Sequence, residues 1–325
     1  MRKLLVICGP TATGKTSLAL HLAKVLASGQ AGELVSADSR QVYKRMDIGT
    51  GKDLPENSKT QKLKNSKLPE YYLIKGIKMW GYDLVEPTEE FSVAQYVKVA
   101  GKIIEDIWRR KKLPILVGGT GLYIKAVVDG IPTAEIPRDE SLRKSLEGKS
   151  VVELFEILAQ IDAVKAASLN VSDRKNPRRL VRAIEVALDR SRVKGQGSII
   201  KEGTDTLFIG LTLNKEKLEE RIKKRIKKRL AQGLLEEIKE LLNSGVDWDN
   251  QSMQALGYKE WKPLFLGKVG RQEVVEEWTT DEKKYAKRQH TWFKRDKRIN
   301  WFVSSLNLKK EVEKLVRKWH NGNYK

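Results

Sequence analysis

The 325-residue sequence is poor in redox groups and metal ligands, with one cysteine and three histidines. A lone Cys8 excludes an intrachain disulfide framework, a thiolate zinc cage and an iron–sulfur cluster held by this chain alone. The three histidines leave little for a histidine metal site. Long apolar runs are missing too. No stretch approaches the roughly 20 apolar residues that span a bilayer, so no membrane span is expected. Negative charge is scarce: 42 Asp+Glu face 63 Lys+Arg, a formal +21. Such an excess selects a polyanionic partner, nucleic acid first and anionic membrane second. The hydrophobic share of 40% falls in strand-like and helix-like blocks, which argues against disorder. The length suits one large domain or two modest ones. Met1-Arg2-Lys3 is basic, but the apolar run Leu4–Cys8 enters Gly9-Pro10 rather than a signal core, so a cytoplasmic protein is expected.

Leu4–Cys8, short and apolar, reads as a buried parallel strand. A helix follows from Thr16 to about Leu26, then a strand over Glu33–Ala37. Residues 52–70 are polar and Lys-rich with two prolines, and read as a mobile loop. Val93, Tyr96, Val97, Ala100, Ile103, Ile104 and Ile107 recur at helical spacing, which predicts a helix from Ser92 to about Lys111. Pro114–Val117 reads as a further buried strand. Alternation of this kind predicts an α/β fold, a parallel sheet with helices on both faces. From about Gly130 to Gly197 only helical patterns occur, clearest at Val151–Leu158, Ala163–Leu169 and Pro177–Leu188. Leu207–Leu211 returns as a strand, and the rest reads as helical and charged. The expected organisation is a core over 1–129, an all-helical insertion over 130–199, and the remaining core with C-terminal helices over 200–325.

Gly9-Pro10-Thr11-Ala12-Thr13-Gly14-Lys15-Thr16 fits G-x-x-x-x-G-K-[ST] between a predicted strand and a predicted helix, the context this P-loop motif requires. Glycines let successive N–H groups turn toward a phosphate. The helix N-terminus, Lys15 and a Thr16 hydroxyl suited to Mg²⁺ add to the cradle. The motif does not say which phosphate compound or nucleotide is held. An ordinary nucleotide hydrolase adds a carboxylate after a buried strand. Here Ile115–Val117 ends in Gly118-Gly119-Thr120-Gly121, with none. Asp38 follows the second strand and has three readings: metal ligand or water-holder, helix N-cap, or general base in a transfer reaction. Strand ends of a parallel sheet gather at one crevice, so Asp38-Ser39-Arg40-Gln41 and Thr120 are expected beside the phosphate loop.

These segments resemble a known family. Gly9–Thr16, Asp38–Tyr43, Met46–Thr50, Gly118–Tyr123, Pro177–Val186 and Ala286–Phe293 are similar, in order, to segments of tRNA dimethylallyltransferases. The resemblance implies a P-loop NTPase-like sheet with an inserted helical tRNA-binding domain. It implies transfer of a dimethylallyl group from its diphosphate to the exocyclic amine of an adenosine beside the tRNA anticodon. Partners are then tRNA through its anticodon stem-loop and dimethylallyl diphosphate, with Mg²⁺ as cofactor, no membrane and no protein partner. A monomer is expected.

Roles carry over residue by residue. Asp38 matches the general base. Thr11 and Arg225 match the pair on the departing pyrophosphate, with Lys15 and Thr16 sharing its charge with Mg²⁺. Ser39, Arg40, Gln41, Thr120 and Arg143 match tRNA contacts. So do Arg178, Arg179, Leu180, Val181 and Arg182, and Met253, Gln254, Ala255, Leu256, Gly257 and Tyr258. The chain departs from the pattern at Lys78–Pro87, where many relatives carry histidines, and at Asn176-Pro177, where Asp-Pro is commoner. It shows no zinc finger of the kind some eukaryotic relatives add, so the resemblance is to the bacterial type.

Residues Arg221–Arg229 contain seven basic residues in nine, and Arg221, Arg225 and Arg229 share one helix face. Asn170–Lys201 carries a net +6 in 32 residues, which makes the insertion a candidate tRNA grip. The plainer alternative for both is a solvated basic face. Trp292, Phe293 and most other tryptophans read as core. Three rival functions remain at this point. A small-molecule P-loop kinase leaves the +21 unexplained. A prenyltransferase of free adenine nucleotides needs no basic insertion. A nucleic-acid ATPase lacks its water-positioning carboxylate.

Overall fold

A computed structural model describes residues 1–26, 32–52, 54–55, 58–64, 66–189 and 203–322. It divides into two compact units, Met1–Val128 with Ile200–Lys325, and Asp129–Ile199. The first unit runs β1 (Lys3–Cys8), α1 (Lys15–Val25), β2 (Glu33–Ser36), β3 (Thr60–Gln61), β4 (Tyr71–Ile74), β5 (Ile77–Trp80), α2 (Val93–Arg109), β6 (Pro114–Val117) and α3 (Gly121–Val128). The second holds α4 (Glu140–Ser145), α5 (Val151–Ile161), α6 (Ala163–Ser168), α7 (Val171–Arg174) and α8 (Pro177–Leu188). The first then resumes with β7 (Asp205–Thr212), α9 (Lys215–Ala231), α10 (Leu234–Asn243), α11 (Lys262–Phe265), α12 (Arg271–Phe293), β8 (Ile299–Val303) and α13 (Leu308–His320).

Among the described residues eight strands form one sheet in the order β3-β4-β5-β2-β6-β1-β7-β8. From β5 to β8 the pairings are parallel. β3 and β4 run antiparallel, a departure from the all-parallel expectation. β1 is central and pairs on both edges, so its Leu4–Cys8 run is wholly buried, as continuous apolar composition dictates. Leu5, Ile7, Leu34, Ile115 and Ile209 face α1 and α13 in one core cluster. α2 and α3 pack together, and α2 lies on β2 and β6. α2 starts in a capping box, with Ser92 and Gln95 bonding each other's backbone N–H, and buries Tyr96, Val97, Ala100, Ile103, Ile104 and Ile107. Each buried Val or Ile among them contributes roughly 1.5–3 kcal/mol. Burial also pushes the Cys8 thiol up to about 12, so it is a packing residue.

Three expectations need correction. The 52–70 segment is not wholly loop, because Thr60–Gln61 pairs with Tyr71–Tyr72. At its start Lys52 is buried, donating to the Tyr43 carbonyl at 2.8 Å, to Asp47 at 2.6 Å and to Asp83. The charged tail also contains an edge strand, β8. Of the eight tryptophans only Trp80, Trp261, Trp278 and Trp319 are buried, while Trp292 is 42% exposed. No helix among the described residues is long and apolar enough to cross a membrane.

The helical unit has its own core of Leu146, Leu154, Leu158, Leu180, Ile184 and neighbouring alanines. Its helices start at polar caps: Ser150 with Glu153, Asp162, Asn170, and Asn176 followed by Pro177. Residues 190–202, which carry part of the basic excess, lie outside the described residues.

Candidate active site

The phosphate loop is shaped by close backbone approach. Gly9 sits at φ +129°, and a Cβ there would lie 2.3 Å from the Leu211 carbonyl oxygen on β7. Gly14, at φ +92°, opens α1. Thr13 Oγ1 and Lys15 Nζ both donate to the Pro10 carbonyl oxygen, at 2.8 and 2.7 Å. Desolvation, opposed by Asp38 and aided by the Arg225 charge, lowers the Lys15 ammonium to about 8. A cation stripped of water in this way gains more from an arriving anion than a solvated one does. The Thr11 N–H donates to Gln289 Oε1 of α12 at 2.8 Å, and Gln289 Nε2 donates to the Gly119 carbonyl at 2.9 Å. Gln289 therefore ties the loop to the end of β6. A Cβ on Gly119 would fall 2.2 Å from that amide and displace it.

A cavity of about 240 Å³ opens beside the loop. Thr11 contributes from the loop, Asp38, Ser39 and Arg40 from the end of β2, and Arg225 and Arg229 from α9. Gly49, Thr50, Gln254, Leu256 and Lys259 line it, with Glu282, Tyr285 and Arg288 from α12. Five cations face two carboxylates, a balance suited to a polyanion. Asp38 Oδ1 accepts the Arg40 N–H at 2.9 Å in a tight turn, and no helix follows it, so the N-cap reading fails. The Ser39 N–H donates to Thr120 Oγ1 at 3.0 Å. Burial, with Asp38 nearby, pushes the Tyr285 phenol up.

Glu237 of α10 fixes the opposite wall. Its carboxylate accepts the N–H groups of Asp47, Ile48 and Gly49 at 2.9, 2.8 and 3.1 Å, and the Tyr258 hydroxyl at 2.6 Å. A Cβ on Gly49 would meet the Tyr258 ring at 2.3 Å.

A family model described as IPP transferase matches residues 41–296. The chain belongs to the IPP transferase family. A model described as isopentenyl transferase matches residues 2–79. The chain is 39% identical to the tRNA dimethylallyltransferase of Anoxybacillus flavithermus, over 92% of this chain and 90% of that one. It is 37% identical to that of Carboxydothermus hydrogenoformans, over 97% and 96%. The crystal structure of a tRNA isopentenylpyrophosphate transferase from Bacillus halodurans aligns with TM-score 0.67 and 33% identity, covering 99% and 97%. A eukaryotic dimethylallyltransferase caught acting on tRNA shares the fold, with TM-score 0.79 and 24% identity, over 100% of this chain and 81% of that one.

Within this family member the sequence-derived residues divide into groups. Thr11, Asp38, Ser39, Arg40, Arg225, Gln254 and Leu256 meet at the cavity. Thr120 stands behind Ser39. Gln41 turns inward instead, bonding Ser36 Oγ at 2.9 Å and the Gly51 carbonyl at 3.1 Å. Met253, Ala255 and Tyr258 are buried, so their side chains pack rather than face a ligand. In the helical unit Leu180 is core. Arg143 and Arg182 both bind the buried Glu185, at 2.6–3.0 Å and 3.0 Å. Arg182 also donates to the carbonyls of Thr133 and Ile136 at 2.8 and 2.9 Å. Burial raises the Glu185 carboxyl, but these partners win and hold it below its ordinary value. Arg179 pairs with Asp173, and Arg178 is exposed. Thus Arg143 and Arg182, each about one-third exposed, are engaged in the unit's own packing.

Sequence reasoning missed Glu237, Glu282, Tyr285 and Gln289. Gln289 lay within the Ala286–Phe293 resemblance, which was the one available signal. The others follow only from side chains that converge across the fold.

Proposed function

We propose that the chain transfers a dimethylallyl group from dimethylallyl diphosphate to N6 of the adenosine adjacent to the tRNA anticodon, releasing pyrophosphate. The observation that carries this reading is one cavity in which Asp38 faces Thr11, Arg225 and the phosphate loop. A bond forms between N6 and the prenyl C1 as the C1–O bond breaks, and the N6 proton passes to Asp38. An aryl amine is a weak nucleophile, so a carboxylate accepting that proton during attack lowers the barrier. Asp38 suits this because, among the described residues, its hydrogen bond is made through Oδ1, to the Arg40 N–H. Thr11, Lys15 and Arg225 take up the charge that develops on the departing pyrophosphate.

Mg²⁺ fits this donor set as a companion of the diphosphate. Among the described residues no cluster of three His, Cys, Asp or Glu could hold a metal alone. Mg²⁺ commonly binds through one or two protein oxygens, waters and substrate phosphates. The Thr16 hydroxyl on the first turn of α1 would hold it, and it would neutralise pyrophosphate charge. Ser39, Arg40, Gln254 and Leu256 would contact the extruded base or its neighbours, and Arg178 the tRNA backbone. We place the protein in the cytoplasm as a monomer, since one chain supplies every group named.

The test is incubation with labelled dimethylallyl diphosphate and Mg²⁺, with either bulk tRNA or AMP as acceptor. Label in N6-dimethylallyladenosine recovered from tRNA is the expected outcome. Label in AMP alone, or none in tRNA, would refute the proposal.

A further inference from the structure

Glu282 plays no part in the reaction above, yet its carboxylate lies on the cavity wall, 3% exposed. From α12 it reaches two guanidiniums that stand one turn apart on α9. Oε2 accepts from Arg225 Nη2 at 2.9 Å, and Oε1 from Arg229 Nη1 at 3.3 Å. Like charges four residues apart on a helix repel. Both are also short of water: Arg229 is buried and the Arg225 side chain is 22% exposed. One carboxylate bridges the pair, and its loss would strip Arg225 of this ion pair in a poorly hydrated place. Arg225 is gripped through Nη2, while its Nε is buried without a hydrogen-bond partner. The Arg225 charge is felt by Lys15, so the guanidinium stands within electrostatic reach of the phosphate loop.

We propose that Glu282 is a positioning residue for pyrophosphate departure. It aims the remaining donors of Arg225 at the anion, and its own negative charge limits how tightly the cleaved pyrophosphate is retained. The inference rests on the transfer reaction proposed above, and adds to it a group that sets the balance between leaving-group stabilisation and product release.

Glu282→Gln removes the charge at constant size. Glu282→Asp keeps the charge, but one methylene less prevents it from reaching both guanidiniums. The measurements are kcat, KM for tRNA, the Kd of inorganic pyrophosphate by titration calorimetry, and a thermal melt to give the folded fraction. Glu282→Gln should lower kcat about 10- to 100-fold through the misplaced Arg225, at unchanged KM for tRNA. The same variant should bind pyrophosphate about fivefold more tightly, because Arg225 loses its aim but keeps its charge beside the anion, and a repelling charge has gone. Glu282→Asp should return pyrophosphate affinity to the wild-type value while recovering only part of kcat. A merely structural role predicts that kcat and pyrophosphate affinity fall together with the folded fraction, and that result overturns the proposal. Wild-type kcat in either variant overturns it as well. The titration needs no turnover, so a wild type that transfers no prenyl group refutes the transfer reading separately from the role of Glu282.

Discussion

Glu260 carries a pH-dependent stability cost that can be worked out from its surroundings. It is 4% exposed beneath the cavity-lining segment. Its Oε2 accepts the Gly257 N–H at 2.8 Å. Its Oε1 takes no hydrogen bond and lies 3.5 Å from Lys259 Nζ. Burial raises the carboxyl from 4.5 to about 7, against the opposing pull of the Gly257 N–H and Lys259. The folded state thus holds the proton more tightly than the unfolded chain. The favourable contribution is fully present below about pH 4.5 and is lost as pH rises through about 7. At 1.36 kcal/mol per unit, the loss by pH 8 is about 3 kcal/mol. Glu260→Gln mimics the protonated form and still offers an oxygen to Gly257. Urea unfolding of both proteins at pH 4.5, 6, 7 and 8 should show nearly equal stability at the acid end. The variant should become more stable by about 3 kcal/mol at pH 8. A stability difference that stays flat across this range would refute the reasoning.

Asp38→Ala should cut turnover by roughly 10²–10⁴ with tRNA and diphosphate binding nearly intact; near-normal single-turnover rates would dismiss it as the base. Lys15 is lowered to about 8 and binds phosphate as the ammonium, so pyrophosphate affinity should fall as pH rises above about 8. Lys15→Ala should erase that alkaline limb, and a limb that persists would place the titration on another group. In the helical unit Arg182→Ala should destabilise by roughly 1–3 kcal/mol, because it strips one of two arginine partners from buried Glu185. Exposed Arg178→Ala should leave the melt unchanged and flatten the log–log salt dependence of tRNA binding by about one unit. Equal effects of the two substitutions on stability would contradict this division.

The sheet's central strands were legible because each is a short, unbroken apolar run ended by glycine or a polar turn. Leu4–Cys8 and Pro114–Val117 can be buried on both faces and little else. The hairpin β4–β5 was not legible. Its strands are only four residues each and follow a Lys-rich segment whose composition reads as loop. β8 was hidden for a related reason. Ile299–Val303 lies at an edge, half-exposed, inside a charged tail. At the site, the phosphate loop and Asp38 could be found because each is local: a motif, or a strand end. The pairing of Arg143 with Glu185 spans 42 residues and that of Arg225 with Glu282 spans 57, and no local pattern encodes either. A basic count cannot tell an arginine that meets solvent from one already engaged by a buried carboxylate.

The order of strands also bears on how the chain is made. β1 emerges first, yet its two neighbours come much later: Leu5 pairs with Ile115 on one side and with Leu207 on the other. At the usual pace of translation, Leu207 follows Leu5 by roughly 10–40 s. Through that interval the edge of β1 that β7 will cover stays open, the arrangement most prone to pairing with another chain. The helical unit is completed within the same wait and has a core of its own, so it can fold while the sheet is still half-built. A nascent chain stalled before Thr212 would therefore combine a finished helical unit with an exposed, adhesive sheet edge.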